Sequence, residues 1–174
     1  DCSYAFDYVF DKFSTQTEVY DNTTKALIKN VIDGFNATVF AYGATGSGKT
    51  FTMIGNEQTG PGVMVLAMRD LFQQIESLSN EITFRLKISY LEVYNETIRD
   101  LFVDNSKKLP LREDENHGVV VPGLTFHHPT SAEQVFNLLE YGNQRRSQSP
   151  TDANAQSSRS HAVFQILVEQ RKKT

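Results

Sequence analysis

The stretch that most constrains this chain is residues 37–54, A-T-V-F-A-Y-G-A-T-G-S-G-K-T-F-T-M-I. Its centre fits the phosphate-binding loop pattern G-x-x-x-x-G-K-[ST], and the residues concerned are Gly43, Ala44, Thr45, Gly46, Ser47, Gly48, Lys49 and Thr50. Such a loop aims backbone N–H groups at phosphate oxygens, and it stands between a buried strand and a helix. The pattern therefore predicts a parallel strand over residues 37–42, a helix from Thr50 onward and the binding of a nucleoside triphosphate.

Two side chains in this loop have chemistry of their own. Lys49 is placed to act as a point charge on the β- and γ-phosphates, and the Thr50 hydroxyl is placed to ligate Mg²⁺. The opposing interpretation, a glycine-rich turn that binds nothing, requires the strand, loop and helix to follow one another by coincidence. We predict a nucleoside triphosphate and Mg²⁺ as the cofactors.

Composition excludes several classes of protein. The 174 residues suffice for one domain with a core, and the one cysteine, Cys2, favours a reducing compartment over a disulfide framework. No apolar run approaches the ~20 residues that span a bilayer, and the start of the chain lacks the layout of a signal peptide. The net charge of −4 is not the basic footprint of a nucleic-acid binder. The sequence predicts a cytosolic chain without membrane or nucleic-acid partners.

Helices are predicted from capping boxes and helical spacing. One box, Thr15 with Glu18, opens a helix whose apolar positions run to Phe35 and whose end suits Gly34. The other regular elements are read from residue ranges: a second capping box opening a helix at residues 130–133, a helix over 63–78, a short helical turn over 96–102, strands over 4–10, 82–92 and 162–168, and a small hairpin-like lobe over 109–126.

Two polar groups outside the loop favour structural roles. Arg99 and Asp100 lie far from any glycine-rich segment, so support of the fold is the better interpretation. His127 and His128 are adjacent but have no cysteine or carboxylate at ligand spacing, which makes them weak evidence for a metal.

A second informative stretch, N-A-Q-S-S-R-S-H at residues 154–161, precedes the apolar strand A-V-F-Q-I-L-V. Alone it is an ordinary polar loop. Combined with a phosphate loop, its hydroxyls and amide can complete a Mg²⁺ shell and hold an attacking water, while its arginine can pair with anionic charge.

These motifs together resemble the kinesin motor domain. N-A-Q-S-S-R-S-H resembles the switch I signature, F-A-Y-G-A-T-G-S-G-K-T-F-T-M resembles the kinesin phosphate loop, and S-Y-L-E-V-Y-N-E-T-I-R-D-L-F resembles the family's long strand with the turn after it. The resemblance covers essentially the whole chain, in family order. Two segments are similar to sequences of the kinesin-8 class, namely L-R-E-D-E-N-H-G-V-V-V-P-G-L and P-T-D-A-N-A-Q-S-S-R-S-H-A-V-F-Q-I. Members of that class walk to microtubule plus ends and depolymerise or regulate microtubules there.

The resemblance implies roles for individual switch I residues. Ser158 resembles the serine whose hydroxyl approaches Mg²⁺, and Ser157 resembles the one that positions the hydrolytic water. Asn154 matches the asparagine on the γ-phosphate side. Arg159 matches the arginine that pairs with a switch II glutamate to close the site.

The chain also departs from the family pattern. Phe51 stands where many kinesins carry a histidine whose ring lies against adenine, and a phenyl ring can stack equally well. The first strand with its R-x-R-P motif, the D-L-A-G-S-E switch II motif, the main microtubule-binding helix and the neck linker do not occur in residues 1–174. We therefore expect a partial motor domain, and we do not expect this piece alone to hydrolyse ATP at a motor's rate.

The resemblance implies an α/β fold of the P-loop NTPase type, with a central, mostly parallel mixed sheet flanked by helices on both faces. It further implies an ATP-driven microtubule motor that is homodimeric at full length and located in the cytoplasm on the microtubule cytoskeleton, including the spindle. The lobe at residues 109–126 resembles loop 8, which touches β-tubulin; because its E-D-E-N tip is acidic, shape or Arg112 would carry that contact.

Two alternatives stay open at this point. One is a P-loop NTPase or kinase of another kind, against which the N-x-x-S-S-R-S-H loop argues. The other is a non-hydrolysing kinesin-like scaffold that binds tubulin, against which the intact Lys49, Thr50, Ser157, Ser158 and Arg159 argue.

Overall fold

The computed structural model describes residues 3–56, 58–104, 107–115, 118–146 and 160–173. The helices are α1 Gln16–Asn22, α2 Lys25–Ile32, α3 Lys49–Ile54, α4 Val63–Ser77 and α5 Ala132–Arg145, and the strands are β1 Gly55–Asn56, β2 Gly60–Pro61, β3 Ile82–Tyr94, β4 Thr97–Asp100, β5 Arg112–Asp114, β6 Gly118–Val120 and β7 Ser160–Lys172. They form two compact units, one of Asp1–Gly43 with Ser47–Leu78 and one of Ala44–Gly46 with Ser79–Thr174. Within the described ranges, no helix is both long and apolar enough to cross a membrane.

In the first unit, α1, α2 and α3 all pack against α4. The apolar side chains between these helices are buried, namely Tyr20, Ile28, Ile32, Val63, Ala67, Met68 and Leu71. The Tyr20 hydroxyl donates a 2.5 Å hydrogen bond to Asp70 on α4. Burial, followed by this bond and the Asp70 charge, raises the pKa of Tyr20 above its usual range, so the phenol stays protonated.

The predicted capping box at the start of α1 is confirmed. The Thr15 hydroxyl accepts a hydrogen bond from the Glu18 N–H, and the Glu18 carboxylate accepts one from the Thr15 N–H at 2.6 Å. The single long helix predicted after it is wrong, because α1 ends at Asn22 and α2 begins at Lys25. The Thr23 hydroxyl donates to the Val19 carbonyl at the break, and such back-bonding competes with the helical pattern.

Two predicted strands in this unit are wrong. Residues 4–10 and 37–42 have no ladder partner in the described part of the chain. Their aromatic side chains are exposed, as Phe6 at 73%, Phe40 at 79% and Tyr42 at 95% show. A strand exists only where a neighbour satisfies its backbone N–H and C=O groups, so an apolar, β-prone sequence is not sufficient.

The second unit is built on a three-stranded sheet in the order β4-β3-β7. β3 and β7 pair antiparallel over their full length, from Ile82 opposite Lys172 to Tyr94 opposite Ser160. β4 pairs antiparallel with the end of β3. Every ladder assigned among the described residues is antiparallel, so the mostly parallel sheet that we predicted does not appear in them.

β4 corrects the helical turn predicted at residues 96–102. Asn95 and Glu96 both adopt positive φ, 45° and 57°, which is the sign that a two-residue type I′ hairpin turn requires at both of its central residues. The predicted structural role of Asp100 is confirmed, because its carboxylate accepts hydrogen bonds from the Phe102 N–H at 2.8 Å and the Thr125 N–H at 2.7 Å.

The hairpin-like lobe is confirmed as the antiparallel pair β5 and β6. The capping box predicted from Thr130 to Glu133 is wrong, since Ser131 is the N-cap of α5: its hydroxyl accepts from the Gln134 N–H, and the Gln134 side-chain oxygen accepts from the Thr130 N–H. Along α5, Val135 and Leu139 are buried, at 0% and 4% exposed, and Leu138 is half-buried.

Gly142 allows α5 to approach β3. A Cβ at this position would overlap Cδ1 and Cε1 of the Tyr90 ring. We expect Gly142→Ala to lower the melting temperature of the intact protein, because overpacking typically costs about 1–3 kcal/mol and exceeds the ~1 kcal/mol gained in helix propensity. Gln144→Ala, on an exposed position of the same helix, is the matched control. A melting temperature of Gly142→Ala at or above that of the control would contradict this packing.

Candidate nucleotide-binding site

The phosphate-loop pattern lies at a turn that leads directly into α3. Gly46 and Gly48 both have positive φ, 81° and 91°, and a Cβ built at either residue meets nothing within 4 Å. The backbone conformation therefore demands glycine at these two positions, while the space beside them is open. Gly48 is also the N-cap of α3 and, having no side chain, makes no side-chain capping hydrogen bond.

Lys49 and Thr50 occupy the first turn of α3. The Lys49 ammonium donates a 2.9 Å hydrogen bond to the Gly43 carbonyl, so its side chain turns back over the loop instead of extending away from it. Thr50 is exposed, which leaves its hydroxyl accessible. A loop with successive backbone N–H groups, open space at its glycines and a lysine folded back toward its first residue fits a triphosphate.

Phe51 follows in the same helix with its ring 45% exposed. Its carbonyl accepts two hydrogen bonds, one from the Gly55 N–H at the end of α3 and one at 2.7 Å from the Gln16 side-chain amide. Gln16 is only 7% exposed. The sequence did not predict this contact, because nothing in the capping-box pattern marks the residue after the N-cap as the donor of a hydrogen bond to a distant part of the chain.

The four switch I residues singled out in the sequence, Asn154, Ser157, Ser158 and Arg159, lie outside the described residues. Their roles, and those of Gly43 to Thr50 and Phe51, stay predictions.

The paired histidines have local structural partners. The His128 ring Nδ1 lies 3.1 Å from the Leu86 carbonyl, and the His127 ring packs edge-on against Phe102 at 4.8 Å between centroids. No group of three metal-ligating side chains occurs in the part of the chain that the structure describes.

Comparison with known proteins assigns the family. The kinesin motor domain matches residues 1–174. The chain belongs to the kinesin motor domain family.

Relatives of this kinesin chain support the class as well. It is 55% identical to kinesin-like protein KIF18A of Mus musculus over 100% of the chain and 19% of the relative, and 49% identical to kinesin-like protein KIP3 of Saccharomyces cerevisiae over 98% and 21%. These relatives are kinesin-8 members, which confirms the predicted resemblance to that class.

Solved kinesins share the fold. A fast kinesin superposes with a TM-score of 0.89 at 36% identity, over 97% of this chain and 48% of that one. A KIF14 dimer in its two-heads-bound AMP-PNP state, in complex with a microtubule, superposes with a TM-score of 0.83 at 37% identity, over 91% and 45%. The P-loop NTPase fold class is thus confirmed, and the kinesin chain spans about half the length of these solved chains.

Proposed function

We propose that this kinesin chain is the ATP-binding part of a motor that couples ATP hydrolysis to movement along, or regulation of, microtubule ends. The observation that carries the proposal is the loop from Gly43 to Thr50, in which the glycine conformations and the returning Lys49 side chain suit a triphosphate in a kinesin sequence. The partner inferred is tubulin in a microtubule, and the full-length protein is inferred to be a homodimer in the cytoplasm, on the cytoskeleton and the spindle.

Within this proposal, each residue has a distinct task. The backbone of Gly43, Ala44, Thr45, Gly46, Ser47 and Gly48 binds the phosphates, and Lys49 neutralises their charge. Mg²⁺, when bound, neutralises phosphate charge, and the Thr50 and Ser158 hydroxyls are the side chains that would hold it. Ser157 orients the attacking water, Asn154 binds on the γ-phosphate side, and Arg159 completes the closed site.

The proposal is tested by steady-state ATPase assays of the full-length protein with and without microtubules. We expect turnover that microtubules increase. Tubulin binding without ATP turnover would instead favour the non-hydrolysing scaffold. ATP turnover that microtubules do not increase would favour another kind of P-loop NTPase.

The Phe51 ring is proposed to stack on the nucleotide base. Stacking on an aromatic ring is worth about 1–3 kcal/mol and tolerates any base, so Phe51→Ala should weaken ATP and GTP binding alike by at least about fivefold, with turnover at saturation unchanged. Phe51→His should restore most of the affinity.

Titration of the full-length variants with each nucleotide checks this, with Phe13→Ala, another exposed phenylalanine, as the matched control. Unchanged affinity in Phe51→Ala would mean that the base lies elsewhere.

A further inference from the structure

Glu92 is a completely buried carboxylate, 0% exposed, that no role proposed above uses. It lies on β3 opposite Ala162 of β7, which places it diagonally across from Ser160 on the same face of the sheet. The Ser160 hydroxyl donates a 2.5 Å hydrogen bond to the Glu92 carboxylate. Burial of a carboxylate costs free energy unless hydrogen-bond donors satisfy it. The bond from Ser160 therefore offsets part of the cost of burying Glu92.

Arg146 extends the network from the end of α5. Its guanidinium donates to the Ser160 hydroxyl at 3.3 Å. The Arg146 charge also lies close to the Tyr90 phenol, where it opposes the rise in the pKa of Tyr90 that burial causes. Tyr90 in turn donates a 2.6 Å hydrogen bond to Asn143 of α5, which fixes this end of the helix over β3.

The consequence concerns the segment between these two residues. Arg146 and Ser160 lie on either side of residues 147–159 in the chain, and their side chains are hydrogen-bonded to each other beside the buried Glu92 carboxylate. We propose that Glu92, Ser160 and Arg146 are positioning residues that fix both ends of the segment carrying Asn154, Ser157, Ser158 and Arg159. This inference rests on the proposed ATPase function for its catalytic consequence, but the tie between the ends stands on its own contacts.

A second serine on the same ladder allows this positioning role to be distinguished from a general contribution to the stability of the sheet. Ser89 is also a serine on the β3–β7 ladder, 1% exposed, and its hydroxyl donates to Gln165 at 3.4 Å. It is therefore the matched control for Ser160: the same residue type and the same strand pairing, but no contact with α5 in the hydrogen bonds described.

The experiment uses the full-length protein as wild type, Ser160→Ala, Ser160→Thr and Ser89→Ala. Hydrogen–deuterium exchange of peptides covering residues 147–159 reads the tie without any need for catalysis. We expect exchange at least about threefold faster in Ser160→Ala than in wild type and Ser89→Ala. In wild type, local opening of this segment must break the bonds of Ser160 to Glu92 and Arg146, whereas in Ser160→Ala these bonds are already absent. Ser160→Thr, which keeps the hydroxyl, should exchange like wild type.

Steady-state kinetics read the catalytic consequence. We expect Ser160→Ala to lower kcat by about tenfold with the Kd for ATP within about twofold of wild type, since misplaced switch I residues cost transition-state stabilisation more than ground-state binding. Ser89→Ala should keep wild-type kcat. A double-mutant cycle with Glu92→Leu, which removes the acceptor at similar volume, should give no further loss, because both variants break the same bond.

The outcomes are distinguishable. Exchange in Ser160→Ala equal to that of wild type overturns the tie, whatever the kinetics. Faster exchange with unchanged kcat overturns the claim that the tie serves hydrolysis. A wild-type protein without ATPase activity contradicts the proposed function, and the exchange data still decide whether the ends are tied.

Discussion

Replacement of Lys49 by alanine should abolish the ATPase activity of the full-length protein. The Lys49 ammonium is held over the loop by its bond to the Gly43 carbonyl, and it is the side-chain cation within the phosphate-loop pattern. A P-loop lysine neutralises charge on the transferred phosphoryl group, which no neighbouring side chain in the pattern can do.

The control is Lys25→Ala, which removes an equal charge from an exposed ion pair with Asp21 at 2.8 Å. It should leave turnover unchanged, since exposed pairs contribute little. Turnover of Lys49→Ala within about tenfold of wild type, a barrier change of only about 1.4 kcal/mol, would show that the phosphate-loop assignment is wrong.

The second large effect is expected at switch I. Ser157→Ala and Arg159→Ala should each slow hydrolysis by about 10² or more while Mg·ATP binding stays nearly intact, because water placement and closure act in the transition state. Single-turnover kinetics and nucleotide titration measure the two quantities separately.

Matched controls for these variants are Ser79→Ala and Arg171→Ala, both at exposed positions, and both should behave as wild type. Equal losses of affinity in Ser157→Ala and Arg159→Ala, with no separate loss of turnover, would contradict this division of roles.

Local chemistry explains which parts of the fold the sequence predicts. The Thr15–Glu18 capping box, the extent of α4 and the alternation of β3 each depend on residues within a few positions of one another. The phosphate-loop turn is likewise predicted by its own glycines, since positive φ at Gly46 and Gly48 is a local requirement.

The features that the sequence did not predict depend on distant neighbours. The turn at Asn95–Glu96 has positive φ without the usual glycine, so β4 resembled a helical turn. Residues 37–42 are β-prone but have no ladder partner in the described residues. The sequence predicted no role for Glu92, and only the hydrogen bonds that link Arg146, Ser160 and Glu92 show its environment.

The most direct test of the central claim is a cryo-electron microscopy map of the full-length protein on a microtubule with a non-hydrolysable ATP analogue. We expect triphosphate density enclosed by the backbone of residues 43–50, with the Lys49 ammonium and the Thr50 hydroxyl within hydrogen-bond or metal-ligand reach of the phosphates. Nucleotide density away from this loop, or a bound microtubule with the loop free of phosphate, would contradict it.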